Sequence, residues 1–196
     1  MIKAIIFDLG NTYCLGSSHH FLDKAYKILG INADLWSQEI IFDSNYNSGK
    51  ISIQECFKNM FKTDITDSQM MQLISEWKNT WKPTDEMLCL VKELKKNYKL
   101  AILSNSDPVN SEKYHKMGWY AHFDVLALSH EIGILKPDKR IYEITLEKLG
   151  HPAGECLFID DQDRCLEPAL EMGMKTILFE DIKQLKDDLK KNGIMF

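Results

Sequence analysis

The chain has 196 residues, of which 44% are hydrophobic, and its 24 basic and 29 acidic residues leave a net charge of −5. This composition supports a packed core and excludes the strong positive charge that nucleic-acid-binding proteins concentrate on one surface. The five cysteines form no C-x-x-C pair, and no apolar run approaches membrane-spanning length. We therefore expect a cytoplasmic protein with free thiols and without nucleic-acid or membrane partners, which is a monomer or a weak dimer.

Short apolar runs predict five buried β-strands, and helical periodicity appears between most of them. Met87, Val91 and Leu94 recur at helical spacing before the second strand, and Ile141 and Leu149 do so before the fourth. This alternation predicts an α/β fold in which a doubly wound, Rossmann-like parallel sheet carries helices on both faces. The strands are expected at residues 2–7, 99–104, 124–128, 155–159 and 174–179.

Residues 17–82 interrupt the alternation and contain no run that is typical of a strand. Cap residues instead predict four helices, because Ser and Asp favour helix N-termini and Gly favours the position after a C-terminus. We expect an all-helical insert at residues 17–82 and an α/β core formed by residues 1–16 and 83–196. The helices are expected from Ser17-Ser18 to Gly30, from Asp34 to about Asn47, from a capping box at Ser52 and Glu55, and from Asp67 to about Trp81.

Polar side chains follow four of the predicted strands at the points where the strands end. The carboxyl ends of parallel strands meet at one edge of a sheet, and ligands bind there in such folds. Each residue alone would also fit a turn or a helix cap, but the joint occurrence favours a shared site. The residues are Asp8 after the first strand, Ser104 and Asn105 after the second, Ser129 and Lys136 after the third, and Asp160 and Asp161 after the fourth.

Three carboxylates at one edge would repel each other, and a bound hard cation relieves that repulsion. Oxygen ligands suit Mg²⁺, which takes one or two carboxylates and keeps several water molecules. A serine hydroxyl, turn amides and a lysine are groups that stabilise a phosphoryl group, and an aspartate facing phosphorus is a candidate nucleophile. The set therefore predicts metal-assisted phosphoryl transfer.

Four segments, in chain order, resemble the four motifs of the haloacid dehalogenase-like hydrolase superfamily, and the likeness extends over the whole chain. They are FDLGNT (7–12), LAILSNS (100–106), GILKPDKRIY (133–142) and LFIDDQDRCLEPALEMGMKTI (157–177). The helical insert lies where that family carries its C1 cap. The D-L-G-N sequence, together with G-K-I-S at residues 49–52, is similar to a subgroup of small sugar phosphatases that includes an α-glucose-1-phosphatase.

The resemblance implies a role for each polar residue at the strand ends. Asp8 would be the nucleophile and a Mg²⁺ ligand, and Lys136 would neutralise charge between it and the phosphate. The metal would also be held by the Gly10 carbonyl and by Asp161, with Asp160 supporting it through a metal-bound water. The residues expected to bind substrate are Ser104, Asn105, Lys136 and Asn11.

The sequence departs from the family pattern at three positions. The usual second aspartate, which protonates the leaving oxygen and later activates water, is Gly10 here. Cys165 occupies a position that is usually Asn, and Asn11 one that is often Gly; Asn tolerates the left-handed backbone conformation that the turn needs. Several explanations for the missing acid stay open. The leaving group is good enough to depart without a proton, or the proton comes from His19 or His20, from a substrate hydroxyl or from solvent.

The combined pattern predicts a Mg²⁺-dependent phosphatase that acts on a small phosphorylated metabolite, with sugar phosphates as candidates, through an aspartyl phosphate. Two alternatives stay open: a 2-haloacid dehalogenase, and a catalytically weak module that binds a phosphometabolite. A small cap would close over the site and set specificity. Its aromatic residues would form either a substrate pocket or the core of the cap, and Tyr46, Asn47 and Lys50 are better placed to reach the site. The aromatic residues are Trp36, Phe42, Tyr46, Trp77 and Trp81.

Overall fold

A computed structural model describes residues 1–31 and 43–196 of the chain. Asp34, Trp36 and Phe42, with the start of the second predicted helix, lie outside the described residues. In chain order the strands are β1 (Ala4–Phe7), β2 (Leu15–Gly16), β3 (Trp81–Lys82), β4 (Lys99–Ser104), β5 (Val125–Leu128), β6 (Cys156–Asp160) and β7 (Lys175–Leu178). The described helices are α1 (Ser18–Leu29), α2 (Ser44–Asn47), α3 (Ile53–Phe61), α4 (Asp67–Lys78), α5 (Asp85–Leu94), α6 (Pro108–Lys116), α7 (Ser129–Ile132), α8 (Lys139–Leu149), α9 (Asp163–Glu171) and α10 (Ile182–Lys191).

The central sheet has five parallel strands in the order β5-β4-β1-β6-β7. The chain builds outward from β1 in one direction through β4 and β5, and then in the other through β6 and β7. This reversal places β1 at the switch point of a doubly wound sheet, where such folds bind ligands at the carboxyl edge. The structure confirms the predicted α/β class and the five long strands.

Alternate residues of the strands face two separate hydrophobic layers, because successive side chains of a strand point to opposite faces. Ile5 and Phe7 pack in the layer that contains α5 and α10, whereas Ala4 and Ile6 pack in the layer that contains α8 and α9. All four of these side chains are completely buried. Burial on both faces explains why the β1 sequence is continuously apolar and not alternating.

The helices between β2 and β3 share a third hydrophobic cluster, to which α1, α3 and α4 contribute Phe21, Phe57 and Leu73. Trp77 belongs to this cluster, and its ring lies 4.6 Å from that of Trp81 in an edge-to-face arrangement. Ser17, Ser52 and Gly30 cap helices as the sequence predicts. The fourth helix begins at Asp67 as predicted, with Thr66 as its N-cap in a capping box with Gln69, and it ends at Lys78, before the predicted end near Trp81.

One part of the sequence prediction for residues 17–82 is wrong, because this segment does contain a strand. Trp81–Lys82 (β3) pairs antiparallel with Leu15–Gly16 (β2) where the chain leaves and rejoins the α/β core. Two residues are too few to show an alternating pattern. In the described ranges no helix has the length and apolarity that a membrane span requires.

Candidate active site

Asp8, Lys136 and Asp160 meet at the carboxyl edge of the sheet and are all buried. Lys136 Nζ donates to Asp8 Oδ1 and to Asp160 Oδ2, at 2.6 Å in each case. The backbone positions both acids, since Asp8 N–H donates to the Ile159 carbonyl at 2.8 Å and so extends β1 along β6. Residues that are far apart in the sequence thus form one charged cluster.

Asp161 completes a group of three carboxylates suited to a cation. Asp8, Asp160 and Asp161 each offer an oxygen, and these oxygens lie within 4.8 Å of one another. Asp160 uses Oδ2 for Lys136 and Oδ1 for the Gln162 N–H at 2.9 Å, whereas Asp161 is half-buried. Three carboxylates and one lysine leave an excess of negative charge on oxygen donors, which fits a hard divalent cation such as Mg²⁺.

Burial and the nearest opposite charges act in opposite directions on the pKa values of Asp8 and Lys136. Burial raises the pKa of Asp8 above its usual range, and the nearby Lys136 charge opposes that effect. Burial lowers the pKa of Lys136, but the charges of Asp8 and Asp160 outweigh burial and hold the pKa above its usual value. Burial, and then the charge of Asp160, raise the pKa of Asp161. Lys136 is therefore protonated, and a cation would favour the ionised form of both acids.

The turn after β4 offers hydrogen-bond donors beside the carboxylates. Ser104 is buried at the end of β4. The Asn105 side chain is engaged with the backbone of Lys136: its Oδ1 accepts from the Lys136 N–H at 2.7 Å, and its Nδ2 donates to the Lys136 carbonyl at 3.0 Å. Within residues 1–31 and 43–196, no backbone hydrogen bond uses the N–H of Leu9, Gly10 or Asn105. These amides and Ser104 form a set of donors that suits an anion.

Asn11 shapes the turn that follows Asp8. Its φ of 56° is left-handed, as the sequence predicts, and its N–H donates to the Cys14 carbonyl at 2.8 Å. The Asn11 side chain hydrogen-bonds Asp161, which partly counters the effect of burial on the pKa of that carboxyl. Asn11 therefore contacts a carboxylate of the cluster, and it does not line the cavity described below.

The other two departures from the family pattern have different surroundings. A Cβ added to Gly10 would have no atom within 4 Å, and its φ is not left-handed, so the position has room for a side chain. Cys165 is buried, its carbonyl accepts from the Tyr142 hydroxyl at 2.7 Å, and burial raises the pKa of its thiol to about 11. The Cys165 thiol is thus protonated and unreactive near neutral pH.

A cavity of about 430 Å³ opens beside the carboxylate cluster, between the α/β core and the helical insert. The core contributes Gly10 and residues 104–107, and the insert contributes Asn47, Trp77 and Trp81. The volume and the mixed polar and aromatic lining suit a small molecule. His19 and His20 are exposed in the first turn of α1 and do not line the cavity.

Tyr46, Asn47 and Lys50, the insert residues that were expected to reach the site, have different surroundings. Asn47 lines this cavity, and Lys50 lines an adjoining one that also includes Lys136. Tyr46 is buried, and its hydroxyl donates to Asp107 Oδ1 at 2.9 Å. The sequence analysis did not predict this contact, which joins two residues 61 positions apart. The SNS sequence at residues 104–106 was the available signal that the polar wall extends beyond Asn105.

Replacing Lys136 with methionine is expected to destabilise the metal-free protein strongly. The substitution leaves Asp8 and Asp160 buried together without the lysine ammonium group that both carboxylates contact. Breaking such a buried arrangement costs about 3–5 kcal/mol. The free energy of unfolding, measured by urea titration in EDTA, tests this. The control is Lys139→Met, because Lys139 pairs with Glu171 at the surface and its side chain is 60% exposed. Equal losses in the two variants would contradict the role of Lys136.

Comparisons with known proteins agree with this geometry. A model of the haloacid dehalogenase-like hydrolase family matches residues 2–173. The glyceraldehyde 3-phosphate phosphatase of Methanocaldococcus jannaschii is 27% identical over 207 residues, covering 96% of this chain and 90% of that protein. Rat bifunctional epoxide hydrolase 2 is 40% identical over 70 residues, which are 36% of this chain and only 13% of the length of that relative.

A solved structure has the same fold at low identity. The wild-type HAD family enzyme BT-2542 of Bacteroides thetaiotaomicron, in complex with magnesium and inorganic phosphate, superposes with a TM-score of 0.77. It is 22% identical, and the match covers 94% of this chain and 99% of that chain. With the family model spanning most of the sequence and the fold shared with a family enzyme, the chain belongs to the haloacid dehalogenase-like hydrolases.

Proposed function

We propose that this hydrolase is a Mg²⁺-dependent phosphatase of small phosphorylated metabolites, with sugar phosphates as candidate substrates. The observation that carries the proposal is the bridge from Lys136 Nζ to Asp8 and Asp160, next to Asp161 and the mouth of a small-molecule cavity. The M. jannaschii relative, a glyceraldehyde 3-phosphate phosphatase, supports a phosphate ester as substrate.

In the proposed reaction Asp8 attacks phosphorus and forms an aspartyl phosphate, which water then hydrolyses. Lys136 holds the attacking carboxylate in place by its 2.6 Å contact and offsets negative charge that develops on the phosphoryl oxygens. Ser104 and the free amides after β1 and β4 orient those oxygens. Bound at Asp8, Asp161 and the Gly10 carbonyl, with Asp160 in support, Mg²⁺ would neutralise charge on the phosphoryl group.

The clustered carboxylates argue against a 2-haloacid dehalogenase, which uses an aspartate nucleophile without a metal. Three acid groups within 4.8 Å and a single lysine would be strongly repulsive without a cation. A module that only binds phosphometabolites is disfavoured by Asp8, because its carboxylate accepts from Lys136 Nζ and the two residues that follow it, Leu9 and Gly10, line the cavity. A substrate screen separates the three.

The test measures phosphate release from a panel of metabolite phosphates and p-nitrophenyl phosphate, in Mg²⁺ and in EDTA. Chloride release from 2-chloropropionate is measured in parallel. We expect phosphate release that requires Mg²⁺, and no chloride. If no phosphate ester is hydrolysed in Mg²⁺, the phosphatase proposal is wrong, and chloride release in EDTA would support the dehalogenase.

Replacing Asp161 with asparagine is expected to weaken Mg²⁺ binding by about 10-fold or more, because it removes a charged oxygen donor from the cluster. The readouts are the Mg²⁺ concentration for half-maximal activity and the affinity for Mg²⁺ alone by calorimetry. Asp163→Asn is the matched control, since Asp163 lies two residues later, is exposed and is not in the carboxylate cluster. Equal Mg²⁺ affinities for the two variants would count against the proposed metal site.

A further inference from the structure

Ser106 and His130 form a hydrogen-bonded pair at the wall of the cavity. Ser106 Oγ lies 2.8 Å from His130 Nδ1, and Ser106 is only 6% exposed. Ser106 lines the same cavity as Gly10, the position at which the family pattern has its acid. Ser106 therefore lies on the surface that would face the leaving group of a substrate held at Asp8, and His130 lies behind it.

The backbone of Ser106 is fixed by Ser129. Ser129 Oγ accepts from the Ser106 N–H at 2.9 Å and donates to the Asn47 carbonyl at 2.6 Å. Ser129 is completely buried, so this hydrogen-bonded link between the insert and the core is shielded from water. Ser106, which lines the cavity, is consequently held on a rigid support.

His130 is enclosed by the insert as well as by the core. Gly49, with a left-handed φ of 72°, packs so close that a Cβ there would overlap the His130 carbonyl oxygen. The His130 side chain is 9% exposed, and its Nε2 lies 4.0 Å from Glu131 Oε1. Asp107 and His115 are the other charged or titratable groups whose fields act on this ring. The ring thus contacts Ser106 on one side and faces a carboxylate on the other.

Asp107, an acid of the cavity wall, is not placed to donate a proton. Its Oδ1 accepts from the Tyr46 hydroxyl and the Asn110 N–H, both at 2.9 Å, and its Oδ2 accepts from Asn110 Nδ2 at 2.9 Å. Both carboxyl oxygens of Asp107 are thus already engaged as hydrogen-bond acceptors. With no side chain at Gly10, Ser106 backed by His130 is the better donor.

We propose that Ser106 protonates the leaving oxygen and is itself reprotonated by His130, in place of the acid that Gly10 lacks. The inference rests on the proposed phosphatase function. As the bond from Asp8 to phosphorus forms and the ester P–O bond breaks, the Ser106 proton moves to the leaving oxygen. The His130 Nδ1 proton moves to Ser106 Oγ, and His130 becomes neutral. In the hydrolytic step the attacking water gives one proton to Ser106 Oγ, and the Ser106 proton moves back to His130 Nδ1. His130 is then protonated again, and the cycle is balanced.

The test compares substrates whose leaving groups differ in their need for a proton. An alkyl phosphate needs protonation, whereas p-nitrophenyl phosphate leaves as a stable anion. We expect Ser106→Ala and His130→Gln to lower kcat/KM for alkyl phosphates by about 10²-fold and to leave p-nitrophenyl phosphate within a few-fold. Burial lowers the pKa of His130, so the wild-type rate on alkyl phosphates should fall as the pH rises through a value below that of free histidine. That fall should be absent in both variants.

Ser111→Ala is the matched control, because Ser111 lines the same cavity and no hydrogen bond described for residues 1–31 and 43–196 joins it to His130. It should change both substrate classes by the same factor. Gly10→Asp in the Ser106→Ala background should restore alkyl phosphate hydrolysis, whereas a merely structural defect would persist. If Ser106→Ala slows both classes equally, or neither, the relay is wrong and the phosphatase proposal stands. If the wild type hydrolyses neither class, both fail.

Discussion

Asp8→Asn is expected to abolish phosphate release, with kcat reduced by roughly 10⁴-fold or more, as for the loss of other covalent nucleophiles. The amide retains an oxygen that can accept from Lys136 Nζ, so the geometry of the cluster is preserved while the attacking carboxylate is lost. The measurement is phosphate release from the best substrate of the panel, in Mg²⁺. Retention of more than a few per cent of the wild-type rate would show that Asp8 is not the nucleophile.

Thermal unfolding of the same variant distinguishes lost chemistry from lost structure. Burial raises the pKa of Asp8, so the ionised carboxylate destabilises the metal-free fold, increasingly as the pH rises through that raised value. A neutral amide removes this effect and also the repulsion from Asp160. We therefore expect Asp8→Asn in EDTA at pH 8 to be at least as stable as the wild type. A lower thermal midpoint would mean that Asp8 is needed for the fold, and the activity result would lose its meaning.

The parts of the fold that sequence reasoning predicts are those that depend on local chemistry. A run such as Ala4–Phe7 is apolar at every position because both faces of its strand are covered. Ser17 and Gly30 mark helix ends by the backbone group that the Ser17 side chain satisfies and by the left-handed dihedral angles that Gly30 adopts. The carboxylates at strand ends follow from the rule that parallel strands present one common edge.

The features that were missed depend on contacts between distant residues. The β2–β3 pair joins two-residue segments, and nothing in either segment requires it. The hydrogen bond from Tyr46 to Asp107 and the one between Ser106 and His130 connect residues 61 and 24 positions apart, respectively. A tyrosine, a serine and a histidine have so many ordinary roles that sequence alone gives no reason to pair them. The roles of the site residues and the division into core and cap at residues 16–17 and 82–83 stay predictions.

Because both the insert and the core line the cavity, the absence of an acid at Gly10 affects which substrates the enzyme can hydrolyse. The insert contributes Asn47, Trp77 and Trp81 to the cavity, so the leaving group of a substrate bound there would lie between the two parts of the chain. With Gly10 at the usual acid position, proton donation has to come from elsewhere in that cavity or from the substrate. Natural substrates should then be esters whose leaving oxygen reaches Ser106, or phosphates whose leaving groups need no proton.

Gly10→Asp is expected to raise kcat/KM for alkyl phosphates. The backbone at Gly10 is not left-handed and a Cβ there meets nothing within 4 Å, so an aspartate fits without displacing a neighbour. Because Gly10 lines the cavity, the new carboxyl would reach the leaving oxygen. General acid–base assistance is worth about 10²–10⁴-fold, and we expect the lower end of this range in the wild-type background, where Ser106 already serves. The gain should approach the upper end in the Ser106→Ala background.

Gly10→Asn is the matched control, since asparagine has the same shape and cannot transfer a proton. It should bring no gain, and p-nitrophenyl phosphate should respond little to either substitution because its leaving group needs no acid. Equal rates for the Asp and Asn variants on alkyl phosphates would show that proton donation does not limit this enzyme. The missing carboxyl would then have no kinetic cost, and the reason for glycine at this position would lie in the shape of the substrate.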